Sequence, residues 1–123
     1  MMDIVQFAFD EAMPVSITAQ GRAPGTMLAT FRYPGFVASY ESRAGNTCGA
    51  AFHGTKATLV VNREAGTNVA HWKNFLECIR TRAKPISEIE TCVRSTATCV
   101  LANIAMRRGT TLDWDEKAWK LEV

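Results

Sequence analysis

Between Asn68 and Gly109 the apolar residues recur at helical spacing; before Asn68 they mostly alternate with polar ones. Trp72, Phe75, Leu76 and Ile79 stand at i, i+3, i+4 and i+7, one apolar stripe on a helix. Arg80 and Arg82 suit the negative end of that helix, and Pro85 ends it. A second helix is predicted to begin at Ser87-x-x-Glu90, which has the spacing of a capping box. Its inward stripe is expected at Ile89, Cys92/Val93, Thr96, Cys99/Val100 and Asn103/Ile104. Ala97, Ala102 and Ala105 are small enough to let another element approach closely. Arg107 and Arg108 fill the last turn, and Gly109 closes it.

The alternating segments read as strands. Val15, Ile17 and Ala19 alternate with Ser16, Thr18 and Gln20, then Gly21 stops the run. Met27 to Tyr33 and Phe36 to Glu41 alternate around Pro34-Gly35 and read as a hairpin. Pro-Gly favours a type II turn, whose twist suits a hairpin poorly, so a slightly wider loop is expected. Ala50 to His53 and Ala57 to Asn62 form another pair, and Thr111 to Trp114 and Trp119 to Val123 return as short strands. At the start, Met1 to Glu11 reads as a helix ended by Pro14. No capping residue precedes it, as in a chain cut inside or just before a helix, or a frayed terminus.

The predicted order is helix, hairpin-linked strands, two helices, strand. That defines an α+β domain over residues 1–123, a largely antiparallel open sheet with helices on one face. The other face is expected to carry some of Phe31, Tyr33, Phe36, Val37 and Tyr40, and an open apolar face marks an interface. A homodimer or higher homo-oligomer through the sheet follows as an expectation.

Composition narrows the function. The 123 residues are 47% hydrophobic with a formal net charge of +2 and no basic run, which disfavours nucleic acid as a partner. No apolar run approaches a membrane span and the first residues lack a signal-peptide pattern, so a cytoplasmic protein is expected. Cys48, Cys78, Cys92 and Cys99 form no Cys-x-x-Cys and are expected as buried, reduced thiols. With His53 and His71 they give no metal-ligand spacing.

Candidate chemistry is sparse. His71 and Asn74 open a helix, where backbone amides help hold an anion or a substrate hydroxyl; the plainer reading is a polar first turn making local caps. His53 beside a turn and Lys84 before Pro85 read as ordinary surface residues. Asp113, Asp115 and Glu116 surround Trp114 and could do acid–base work, but carboxylates at a strand end more often make turns. Ser87 and Ser95 lack a spaced His/Asp set, and no Gly-x-Gly-x-x-Gly occurs.

One resemblance spans nearly the whole chain. It rests on His71-x-x-Asn74-Phe75-Leu76-x-Cys78-Ile79-Arg80-x-x-x-Lys84-Pro85, then Arg94-Ser95, Leu101-Ala102-Asn103-Ile104-Ala105 and Leu112-x-Trp114-Asp115. Pro14-Val15-x-Ile17-x-Ala19-x-Gly21 and Phe52-x-Gly54-Thr55-x-Ala57-Thr58-Leu59 extend it. Together they resemble the C-terminal half of the Gfo/Idh/MocA family, NAD(P)-dependent sugar and polyol oxidoreductases. The resemblance implies a partner Rossmann domain carrying the dinucleotide site, a Glu-Lys-Pro lysine and an Asp-x-x-x-His pair. None of these lies in this sequence, and Lys84 follows the His71 helix, so it cannot stand in for the catalytic lysine. No catalytic, cofactor-binding or metal residue is therefore carried over. This chain is expected to hold no cofactor and to be inactive alone, with NAD or NADP implied for a full-length member. The expected role is oligomerisation and one wall of the substrate site. His71 and Asn74 are the substrate-side candidates, Asp3 and Arg94 the domain-contact candidates. The alternative is a stand-alone dimeric small-ligand-binding or scaffold protein derived from that family; a weaker third is a small enzyme using Asp113 and Asp115.

Overall fold

The computed structural model describes residues 2–10, 12–22, 25–42, 49–62 and 68–122. Alternation and helical spacing become ten elements in the expected order. They are α1 (Met2–Ala8), β1 (Ser16–Gly21), β2 (Met27–Arg32), β3 (Val37–Ser42), β4 (Gly49–His53), β5 (Thr58–Asn62), α2 (Val69–Thr81), α3 (Ile89–Arg108), β6 (Leu112–Asp115) and β7 (Lys120–Glu122). Five strands form an open antiparallel sheet in the order β3-β2-β1-β6-β7, and β4 and β5 make a separate two-stranded sheet. The fold is α+β with an open sheet, as the pattern predicts.

The period of two decides which face is covered. Ile17 stands opposite Phe31, and Ala19 opposite Ala29. These four residues are buried, with α3 lying over β1 and α1 packed against α3. Ala102 and Ala105 are fully buried, so the helix backbone comes close to the sheet, as their small size allows. Phe31 is the largest fully buried side chain among the described residues, and its truncation to alanine costs about 3–5 kcal/mol.

The uncovered face differs from expectation. It carries Thr18, Thr30 and Ser39 in one cross-strand row and Gln20, Leu28 and Glu41 in another. Arg32 lies between Ser16 and Val37 and donates from Nε to the Ser16 hydroxyl at 3.1 Å. Of the aromatic and apolar residues expected here only Val37 is present; Phe31 and Tyr33 point into the core. The one-residue alternation puts them with Ile17 and Ala19 rather than with Val37.

Both helices of the second half also depart from expectation. The capping box at Ser87 does not form: Glu88 is the N-cap of α3 in extended geometry, and no side chain caps it. Glu88 instead pairs with Lys84. The buried stripe of α3 is Thr98, Leu101, Ala102 and Ala105; of the expected stripe Ile104 packs against the core, while Ile89 is 74% exposed and Val93 and Val100 are about half exposed. On α2 no residue is buried, and Trp72, Phe75, Leu76 and Ile79 all lie open. Gly109 takes the left-handed conformation expected of it and donates its N–H to Ala105.

The Pro34-Gly35 connection is the wider loop: β2 ends at Arg32 and β3 begins at Val37, with the Tyr33 N–H donating to the Phe36 carbonyl at 2.9 Å. Gly35 is not among the positive-φ glycines, so the turn is not type II.

Candidate functional site

The start of α2 brings His71 and Asn74 onto adjacent turns. His71 is exposed. Asn74 is half-buried, and its Oδ1 accepts the Ile86 N–H at 2.9 Å. That bond straps the segment after α2 back onto the helix, so part of the amide's capacity is structural. Asp3 lies in α1, with its side chain outside the described residues. Arg94 of α3 ion-pairs with Glu116 and sits 5.9 Å from the Trp119 ring centroid, and Trp119 meets Trp114 edge-on at 5.3 Å.

The carboxylates after β6 follow the plainer reading. Asp115 Oδ1 accepts the N–H groups of Lys117 at 2.8 Å and Ala118 at 3.0 Å, closing the turn into β7. Asp113 sits on the uncovered sheet face opposite Ser16. Among the described residues no three of His, Cys, Asp and Glu gather as metal ligands, and no helix is long and apolar enough to cross a membrane. The thiols correct the expected burial: Cys92 and Cys99 are exposed and Cys78 is half-buried, and none of the three is in a disulfide. Cys48 lies outside the described residues.

A cleft that the sequence pattern does not announce lies between β3 and β4, with α1 beneath it. Its volume is about 550 Å³. Phe9 of the α1 end stacks on Phe36 at 3.8 Å, and Phe36 stacks on Tyr33 at 4.3 Å. Phe52 of β4 tilts against Phe9 at 6.1 Å. Each of Phe9, Phe36 and Phe52 stands beside a turn or an element end, which hides a shared role from a periodicity argument. His53, also at this cleft, is held through Nδ1 to the Thr58 hydroxyl at 3.2 Å. Next to the stack, Tyr33 is buried with no partner for its hydroxyl. Burial, and then the nearby Cys99 thiol, push its pKa up from 10.0 to about 12, so it stays protonated at neutral pH.

Comparison with known proteins places the fold. No protein-family profile matches the chain, and no curated protein sequence does. The solved structure of yvaA from Bacillus subtilis, a protein assigned as an oxidoreductase, matches with a TM-score of 0.65 over 93% of this chain at 12% identity. This chain spans 49% of the length of that protein. The likeness is one of fold: the chain folds like about half of an oxidoreductase-type polypeptide.

Proposed function

We propose that this chain serves as the C-terminal, non-nucleotide-binding module of an NAD(P)-dependent sugar or polyol oxidoreductase of the Gfo/Idh/MocA type. The observation that carries the reading is the pairing of that half-length fold match with an uncovered helical layer. The match supports an oxidoreductase fold; the open stripes of α2 and α3 support a second body seated on them. Trp72, Phe75 and Leu76, each about half exposed or more, are the side chains such a contact would bury. In this reading a Rossmann domain supplies NAD or NADP and the proton relay. This module forms one wall of the substrate site, to which His71 and Asn74 are the nearest polar contributors. Arg94, tied to Glu116, stiffens the module's far end.

The uncovered sheet face is the proposed self-association surface. Its mixture of Thr, Ser, Gln, Arg32, Leu28 and Val37 is no obstacle, because interfaces as a whole are about as polar as the rest of a protein's surface. The test is solution mass by light scattering with an NAD(H) and NADP(H) titration on the same sample. A dimer that ignores both cofactors agrees with the proposal; cofactor binding by this chain alone refutes it. A monomer would overturn self-association through the sheet and mean that this face is covered in some other way.

A further inference from the structure

One cross-strand row of the uncovered sheet face runs through all five strands. Following the register from β3 to β7, it reads Val37, Arg32, Ser16, Asp113 and Glu122. Residues directly opposite one another in an antiparallel sheet point to the same face, so these side chains stand side by side. The neighbouring pair Ile17 and Leu112 is buried, which places the row on the open face. Leu28 and Val37 are both more than half exposed, so the described elements leave that face open.

The row is polarised about its centre. Ser16 of β1 is the midpoint. The cation stands on one side of it, on β2, and the two carboxylates stand on the other, on β6 and β7. The guanidinium is oriented, because Nε of Arg32 donates to the Ser16 hydroxyl at 3.1 Å. Asp113 and Glu122 are directly opposite each other, and like charges so placed repel. All three charged residues are exposed, and among the described residues no ion pair engages any of them.

Two identical sheets stacked face to face by a two-fold rotation have their axis in the plane between them. An axis running across the strands along this row lays each strand over its own copy, with arginine on arginine and carboxylate on carboxylate. An axis running along β1 reverses the strand order in the partner, so β2 lies over β6 and β3 over β7. Arg32 then meets the partner's Asp113, Val37 meets the partner's Glu122, and Ser16 lies on the axis. That arrangement makes two symmetric arginine–carboxylate pairs and keeps the strands of both sheets nearly aligned, as face-to-face sheets pack.

We infer that the occupant of this face is a second copy of the chain, related by a two-fold axis along β1, with Arg32 of each copy on the partner's Asp113. The inference rests on the proposed self-association through the sheet and adds to it the orientation of the two copies and the charges that select it. Crossed-strand orientations along this row are disfavoured by repulsion between like charges.

The test uses Arg32→Glu and Asp113→Arg, each alone and then mixed in equal amounts, with the dimer dissociation constant read by light scattering over a concentration series. Each variant alone sets like charges against each other at both symmetric contacts and should weaken the dimer about tenfold or more. In the mixture the reversed position 32 of one chain meets the reversed position 113 of the other, and the unchanged pair re-forms at the second contact. The mixture should therefore recover the wild-type constant within about threefold. Neither misfolding nor a loss within one chain is rescued by mixing. Asp113→Asn, which keeps the shape of the side chain, should flatten the salt dependence of the dimer and gives a reading even where a reversal fails to fold. Wild-type dimerisation by both reversed variants, or an unchanged salt dependence in Asp113→Asn, would overturn this orientation while leaving a sheet-face dimer standing. So would two folded variants that each lose the dimer and stay monomeric when mixed. A monomeric wild-type protein would overturn both the orientation and the self-association it rests on.

Discussion

Tyr33 joins two features that pull against each other. Its ring lies flat on Phe36, which favours burial, while its hydroxyl is buried without a partner. An unpaired buried hydroxyl costs about 1–3 kcal/mol. Tyr33→Phe keeps the stack and removes that cost, so the melting temperature should rise, by roughly the equivalent of 1 kcal/mol. The sign of the pH effect follows from the raised pKa. The group's contribution is fully present below the unfolded value near 10 and is lost as the pH climbs toward about 12. Thermal melts between pH 9 and 12 should show the wild-type protein losing stability more steeply than Tyr33→Phe. Arg82 is a second residue under local tension. It caps α2 in the left-handed conformation, with φ 60°, and donates its N–H to the Cys78 carbonyl at 2.8 Å. A residue with a Cβ loses roughly 1 kcal/mol in that conformation relative to glycine. Arg82→Gly should stabilise the protein by up to about that amount in a denaturant melt.

At the scale of elements, α3 shows what a sequence can and cannot reveal. Its extent was readable from spacing, and so was its end at Gly109. Its orientation was not, because two faces of the helix are apolar. The bulky face of Ile89, Val93 and Val100 dominates any reading by size, yet the small residues Ala102 and Ala105 are the ones against the sheet. Close approach favours alanine there, and periodicity alone does not weigh distance. The same ambiguity misplaced the thiols, since Cys92 and Cys99 share the outward face. Both should react promptly with a disulfide-exchange reagent in the native protein, with Cys78 slower. Protection of the first two on adding a binding partner would map contact onto α3. In the sheet, alternation gave the strands and their order along the chain, while the choice between faces at Phe31 and Val37 needed the register. The candidate site was less legible than the fold. His71, Asn74 and Arg94 are visible as polar residues in helices, but the partners of Asn74 (Ile86) and Arg94 (Glu116 and Trp119) are set by tertiary contacts. The aromatic cleft was not legible at all, because its rings come from three separate elements.

For the whole molecule, two surfaces compete to explain assembly, and they can be separated. Val37→Asp places a charge on the uncovered sheet face at a residue that is 65% exposed, so it should leave the fold intact. In the proposed arrangement it lowers the dimer fraction by light scattering at least tenfold. Leu76→Glu, on the open stripe of α2, should leave the dimer unchanged while abolishing association with a separately supplied Rossmann domain, read by the same method. The reverse pattern would exchange the roles of the two faces.

The central strand of the sheet is joined on one side to β2, a few residues away, and on the other to β6, where Ser16 meets Asp113. On a ribosome those two pairings are far apart in time. The first is available almost at once; the second waits for nearly a hundred further residues, about 5–20 s of synthesis at ordinary rates. Through that interval one side of β1 has no strand to pair with. α3, which covers the inner face, is itself still being made. The nascent chain should therefore depend on chaperone shielding until its last strands emerge, and losing residues 112–122 should leave the hairpins soluble only while something else occupies that edge.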